Sequence, residues 1–387
     1  RTDESSVSID RVFLNGINVY LQQKYPFFRR TNRLLDALID RTFLLRLVSR
    51  FASATDPKDL GALTVSILKG QDGNQKRELA KLVEWIRQEV RPEIIQLTNT
   101  MFAGMAGLLK QETKAPVLAA LQGEDLFLSG LIEPYRSRAL DVLRERLKDV
   151  DGFIAPSAYY AGFMSEFLEI PRNKIHVVRL GLNLQGYGQS LSKRYDGSPT
   201  IGYLARICPE KGLHVLIKAF RLLSRMPRSS DVKLKVAGYL GKRDRPYFKR
   251  LLKNLAQAGL EDRFEYLGEV DREGKMEFFN SIDVFSVPTT YHEPKGIYVL
   301  EAMASGVPVV QPRHGAFPEL VESTGGGILV EPGSAESLAS SIDALLQDYS
   351  QRKTLGRRGA AAVQRAYSDE GMAEASLAVY RQYLQPS

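Results

Sequence analysis

Cysteine is nearly absent from this chain: Cys208 stands alone among 387 residues, which excludes an intramolecular disulfide and suits a reducing compartment such as the cytoplasm. Histidine is scarce too, with four residues scattered along the sequence, so a structural zinc site built from Cys and His has too few ligands in any one place. No run approaches the roughly eighteen uninterrupted apolar residues of a membrane-spanning helix. Basic motifs interleaved with stacking aromatics are missing, so the net charge of +8 is not a nucleic-acid footprint. That charge fits phosphorylated substrates or an anionic membrane surface. The basic segments 24–33 (KYPFFRRTNR) and 241–250 (GKRDRPYFKR) are where peripheral lipid contact would arise, against the simpler reading of solvated faces.

What is present is an ordinary globular composition, 44% hydrophobic and 25% charged, in a length that allows two domains with separate cores. Apolar runs of strand length alternate with segments of helical periodicity, the pattern of α/β proteins with parallel sheets. From Arg91, RPEIIQLTNT reads as a strand, followed by a helix to about Gln111 and a second strand in APVLAALQGED. A later series has strands in PTIGYLARI, VKLKVAGYL and RFEYLGEV. Segment 185–198 carries Gly, Ser and charge without apolar periodicity and reads as a linker. Nearer the start, Asn15-Gly16 suggests a turn between short strands, and 34–50, 57–69 and 75–90 have helical spacing. The expected division is 1–184, the linker 185–198, a second domain 199–370, and a C-terminal helix within 371–387.

The densest signal runs from Asp283 to Gly315, DVFSVPTTYHEPKGIYVLEAMASGVPVVQPRHG. Val284 to Val287 reads as a buried strand, Thr289 to Pro294 as a loop, Ile297 to Ala304 as a helix closed by Gly306, and Val309-Val310 as the next strand. Such a loop lies at the carboxyl end of a strand, where open α/β sheets bind ligands. Gly296 lets a ligand approach the first free N–H groups of the helix, those of Ile297 and Tyr298, while Glu293 and Glu301 bracket the helix start. A helix N-terminus attracts phosphate and glutamate repels it, so these carboxylates should meet hydroxyl groups. A nucleotide sugar carries both kinds of group.

These residues resemble the family-four retaining glycosyltransferases of GT-B fold, whose signature EPFGxxxLEAMAxGxPVV is met here by EPKGIYVLEAMASGVPVV, with Lys295 where Phe is common. The resemblance extends to YLARICPEKGLHVL against GRLxxEKG, to Val236-Ala237-Gly238 against VAGxG, to Gly268-Glu269-Val270 past the next strand, and to RHGAFPELV against GGxPE. It implies an α/β protein of two Rossmann-like domains facing each other across a cleft, the first on the acceptor side and the second holding a nucleotide-diphosphate sugar. The C-terminal helix would return to the first domain. It also implies that Arg206 and Lys211 grip the donor diphosphate, that Glu293 holds the transferring sugar, and that Glu301 binds ribose hydroxyls. Gly238, Val270, Gly296, Ile297, Tyr298 and Gly315 would complete the donor site. Fixed cations beside a departing diphosphate make chemical sense, because they stabilise negative charge as it grows.

In the first domain the resemblance is looser. The family's His, written HGxD or HD, is met by LQGEDLF, which sets Gln122 at the His position with Glu124 and Asp125 after it. Gln hydrogen-bonds but does not titrate, so Glu124 or Asp125 stands as the alternative base. The sequence from Arg1 offers no counterpart of the first strand, glycine-rich loop, helix and second strand of a GT-B domain, so the resemblance implies either a fragment or a reduced first domain. The implied activity is retaining transfer of a sugar to a glycan, lipid or small-molecule acceptor. No cofactor or metal is called for. A nucleotide-sugar-binding protein with little transfer, and a GT-B epimerase or phosphorylase, remain the alternatives. The expected location is the cytoplasm, with or without peripheral contact at the inner membrane surface.

Overall fold

The computed structural model of the protein describes residues 57–188 and 197–384. The expected turn at Asn15-Gly16, the helix at 34–50, the basic segment 24–33, the reduced opening and most of the 185–198 linker lie outside the described residues. The chain forms two compact units, each built on its own parallel sheet.

One unit takes the described residues up to Pro156, then Tyr160–Val178, and the chain from Ser376. Helices α1 (Pro57–Leu68) and α2 (Lys76–Trp85) precede β1 (Ile95–Leu97), α3 (Ala106–Thr113) and β2 (Val117–Ala120). Then come α4 (Glu124–Ser129), α5 (Tyr135–Leu147), β3 (Gly152–Ala155), α6 (Ala158–Leu168) and β4 (Ile175–Val177). The strands lie in the order β1-β2-β3-β4. Every residue of β2 and β3 is buried, as strands covered on both faces must be, which is why they read as continuous apolar runs. The periodic segment 75–90 becomes α2 plus one wider turn, Ile86–Val90, and stops at Arg91, whose φ of 48° ends the helix ahead of Pro92.

The other unit runs from Arg179 to Ala375. Its elements are β5 (Thr200–Leu204), α7 (Leu213–Leu223), β6 (Lys233–Ala237), α8 (Arg245–Ala256), β7 (Phe264–Tyr266), α9 (Arg272–Asn280) and β8 (Val284–Phe285). They continue with α10 (Ile297–Ala304), β9 (Val309–Pro312), α11 (Phe317–Thr324), β10 (Gly327–Val330), α12 (Ala335–Gln347), α13 (Tyr349–Ala366) and the start of α14 (Asp369–Leu384). The six strands lie in the order β10-β9-β8-β5-β6-β7 and all pairs are parallel. One core joins Ile201, Tyr203, Val236, Phe285 and Val310 of the sheet to Leu216 and Phe220 of α7, Leu300 of α10 and Ile342 of α12.

Two details differ from the sequence reading. The strand expected over Val284–Val287 is regular only at Val284–Phe285, although Ser286 still donates its N–H to Gly202 at 3.0 Å. Pro288 brings no donor and the chain turns into the loop. Strand β10 was not anticipated, being short and bounded by glycines that read as loop, whereas α11 carries in its first turn Glu319, which reads as a helix-start residue. Among the described residues no helix is long and apolar enough to cross a membrane.

Candidate active site

Strand order in the six-stranded sheet reverses between β5 and β8, so the loops leaving these two strands run side by side at the carboxyl end of the sheet. Glycine makes the approach. At Gly212, φ +72°, a Cβ would stand 1.7 Å from the carbonyl oxygen of Pro288. At Gly315 a Cβ would stand 2.6 Å from both the N and the O of Glu293, and Ala316 N–H donates to that oxygen at 2.8 Å. Lys211, Glu293, Gly296 and Gly315 are thus brought together from three loops.

Glu293 lies at the centre, 4% exposed. Its Oε2 accepts from Lys211 Nζ at 2.5 Å, Tyr291 OH at 2.6 Å and Tyr298 OH at 2.7 Å. Its Oε1 faces the N–H groups of Lys295 and Gly296 at 3.3 and 3.4 Å. Burial alone would raise the pKa of this carboxyl, but the Lys211 ammonium and the hydrogen bonds from Lys211, Tyr291 and Tyr298 outweigh it and hold the group below its ordinary value. Burial, reinforced by the charge of Glu293, pushes both phenols up, so they remain donors. Lys211 Nζ also donates to Tyr291 OH at 2.6 Å and sits 4.9 Å from the centre of the Tyr298 ring. A buried ion pair is tolerable only when such extra bonds satisfy it.

The start of α10 carries the rest. Gly296, with φ +65°, is the N-cap and offers no side chain, and the N–H groups of Ile297 and Tyr298 point out of the first turn. Glu301 sits further along the helix, 7% exposed. Its Oε1 accepts from Lys275 Nζ at 2.6 Å and from Tyr187 OH at 3.4 Å, and its Oε2 has no partner among the described residues. Arg206 shares the β5 loop with Lys211: its exposed side chain donates Nε–H to Cys208 Sγ at 3.4 Å, and its charge reaches the Tyr291 phenol beside Glu293. With Arg243, Tyr247 and Arg250 it lines an open cavity of about 400 Å³. Gly238 closes β6 against β5, where a Cβ would meet Ala205 O at 1.9 Å, and it donates to Gly268 O at 2.7 Å. Val270 is half-buried just beyond.

In the four-stranded unit, Gln122 is exposed at the end of β2. Glu124 is 5% exposed and spent on structure: its carboxylate accepts from Gln122 N–H at 2.7 Å, Thr100 N–H at 2.9 Å and Thr100 OH at 3.1 Å. Asp125 accepts from Tyr160 OH at 2.7 Å. Glu124 therefore fixes the loops at Thr100 and Gln122, and Asp125 ties the start of α4 to α6. Missing from the sequence reading were the side-chain roles of Tyr291 and Tyr298 and the partners Lys275 and Tyr187. The tyrosines sit two residues before and five after Glu293, close enough to have been noticed. Lys275 and Tyr187 lie 26 and 114 positions from Glu301, with no local signal.

Residues 191–362 match the family described as Glycosyl transferases group 1, and residues 29–185 match Glycosyltransferase Family 4. The Escherichia coli protein described as putative colanic acid biosynthesis glycosyltransferase WcaL is 30% identical over 373 residues, covering 80% of this chain and 88% of that protein. A Methanocaldococcus jannaschii protein described as uncharacterized glycosyltransferase MJ1607 is 30% identical over 223 residues, and the match spans 54% of this chain and 55% of that protein. Among solved structures, Anabaena HepE, determined in complex with UDP, superposes with a TM-score of 0.67 at 22% identity, over 80% of this chain and 84% of that one. The fold is GT-B-like, and the chain belongs to the group 1 glycosyltransferases.

Proposed function

We propose that the protein transfers a sugar, with retention of configuration, from a nucleoside-diphosphate sugar held at the carboxyl end of the six-stranded sheet. The observation that carries the reading is the convergence of Lys211, Glu293 and the open first turn of α10 at the switch between β5 and β8. Lys211 and Arg206 supply the positive charge that a departing diphosphate needs, so the reaction calls on no metal or other cofactor. Glu293, held as a carboxylate, accepts from hydroxyls of the donor sugar, and Oε2 of Glu301, which has no partner among the described residues, accepts from the ribose. Gly238, Val270 and Gly315 bound the space for the nucleotide. Gln122, which cannot take a proton, orients the sugar, and proton transfer runs from the acceptor to the leaving phosphate. The name of WcaL points to a glycan as the acceptor class. The exposed cations of 242–253 suit peripheral contact with an anionic membrane surface, which would place the enzyme at the inner face of the cytoplasmic membrane.

The test is a product analysis. The enzyme, with UDP-, GDP- and ADP-sugars and a panel of glycan and lipid acceptors, should release nucleoside diphosphate together with a glycoside of the donor's own anomeric configuration, and a chelator should leave the rate unchanged. An inverted product, or a rate abolished by the chelator and restored by a divalent ion, contradicts the reading. Altered sugar without acceptor consumption would assign an epimerase instead.

A further inference from the structure

The Lys211–Glu293 pair poses a physical problem for any ligand that takes the lysine. If the ammonium turns to a diphosphate, Glu293 keeps its burial and loses its nearest counter-charge, and a buried carboxylate so abandoned either protonates or moves. Two phenols stand where this would be prevented. Tyr291 and Tyr298 reach the same oxygen, Oε2, at 2.6 and 2.7 Å, one from the loop after β8 and the other from the first turn of α10. Tyr298 is itself braced by the core, its ring 6.3 Å from that of Phe285 and 6.4 Å from that of Phe317. Tyr291 lies outside the EPKGIYVLEAMASGVPVV text that carries the family resemblance, and Tyr298 falls at one of its unspecified positions.

We propose that Tyr291 and Tyr298 are positioning residues that keep Glu293 ionised and aimed at the donor sugar while Lys211 is engaged by the donor diphosphate. The inference rests on the donor-site reading above. The groups facing the carboxylate are Lys211 from the β5 loop, Tyr291 and the Lys295 and Gly296 N–H groups from its own loop, Tyr298 from α10, and His314 from the loop after β9. His314 donates Nε2–H to Thr289 O at 2.9 Å and burial keeps it neutral, with a pKa below its ordinary value, so above mildly acidic pH it adds no charge to the balance. Lys211 and the two phenols therefore decide the state of Glu293.

The experiment titrates Glu293 directly, by carbon-13 NMR of glutamate-labelled protein with the resonance assigned through Glu293→Gln, with and without saturating nucleoside diphosphate. Each phenol's hydrogen bond favours the charged form, so Tyr291→Phe and Tyr298→Phe should each raise the Glu293 midpoint by about one pH unit or more. The rise should be larger with the diphosphate bound, because Lys211 is then withdrawn. The acid limb of kcat should move by the same amount, giving about a tenfold loss on that limb with KM little changed. Both substitutions keep the ring, so packing is preserved, and thermal unfolding at neutral pH reports any failure to fold. An unshifted midpoint in both variants overturns the proposal, as does a shifted midpoint with an unmoved kcat profile. A parent enzyme that binds no nucleoside diphosphate overturns the donor-site reading itself, and that result is seen before any variant is made.

Discussion

At the scale of single residues, the chemistry of the site is set by how a buried carboxylate is kept charged. Glu293 is held below its ordinary pKa in the folded protein, so its contribution to stability is full above the carboxylate range and is lost as pH falls through that depressed value. Removing Lys211 should therefore do two things. In chemical denaturation at neutral pH, Lys211→Ala should be less stable than the parent by about 3–5 kcal/mol at most, less to the extent that the two phenols compensate. The gap should shrink as the pH is lowered toward Glu293 protonation. In kinetics, Lys211→Ala and Arg206→Ala should each lose about 2–4 kcal/mol of transition-state stabilisation, read from kcat/KM, as expected on removing a donor to developing negative charge. Turnover within threefold of the parent in both would remove these residues from the assigned role.

At the scale of elements, the loop geometry depends on glycines in the left-handed region, and a matched pair of substitutions measures this. Gly212→Ala faces both an unfavourable φ of +72° and the Pro288 carbonyl 1.7 Å away, whereas Gly259→Ala faces a similar φ of +63° with open space around it. The left-handed conformation alone costs about 1–2 kcal/mol, so Gly259→Ala should lose that much and Gly212→Ala clearly more, with donor affinity falling only in the second. Equal losses would mean the two loops do not need their close approach. Helix α10 allows another test: Glu301→Ala should weaken free nucleoside diphosphate in calorimetry, while Glu293→Ala should leave that affinity intact and lower transfer.

Much of this element was legible in the sequence because its causes are local. Gly296, the apolar spacing of Ile297–Ala304 and Gly306 fix a helix whose ends were read to the residue. Lys211 and Glu293 could be named from their loops, but not their 2.5 Å contact, since the β5–β8 pairing that joins them spans 82 positions. Separations of 26 and 114 positions likewise hid Lys275 and Tyr187 from Glu301. Glu124 was read as a candidate base because an acid after a strand is ambiguous, and only the fold reveals its three donors from the loops around Thr100 and Gln122.

At the scale of the whole molecule, the family matches fall on either side of residue 188, one on the four-stranded unit and the other on the six-stranded unit. The net charge of +8 belongs to this scale as well. If the exposed cations of 242–253 meet an anionic bilayer, the protein should float with vesicles rich in anionic lipid at low salt and leave them at high salt, and not bind neutral vesicles at either. Retention on neutral vesicles, or none on anionic ones, would dismiss membrane contact. The central claim, a nucleoside-diphosphate sugar seated where β5 and β8 diverge, is tested most directly by calorimetric titration of the parent and Lys211→Ala with UDP-, GDP- and ADP-sugars. The account predicts that the parent binds at least one of them and that Lys211→Ala binds it at least tenfold more weakly, about 1.4 kcal/mol. No binding by the parent, or equal affinity in the two proteins, would contradict it.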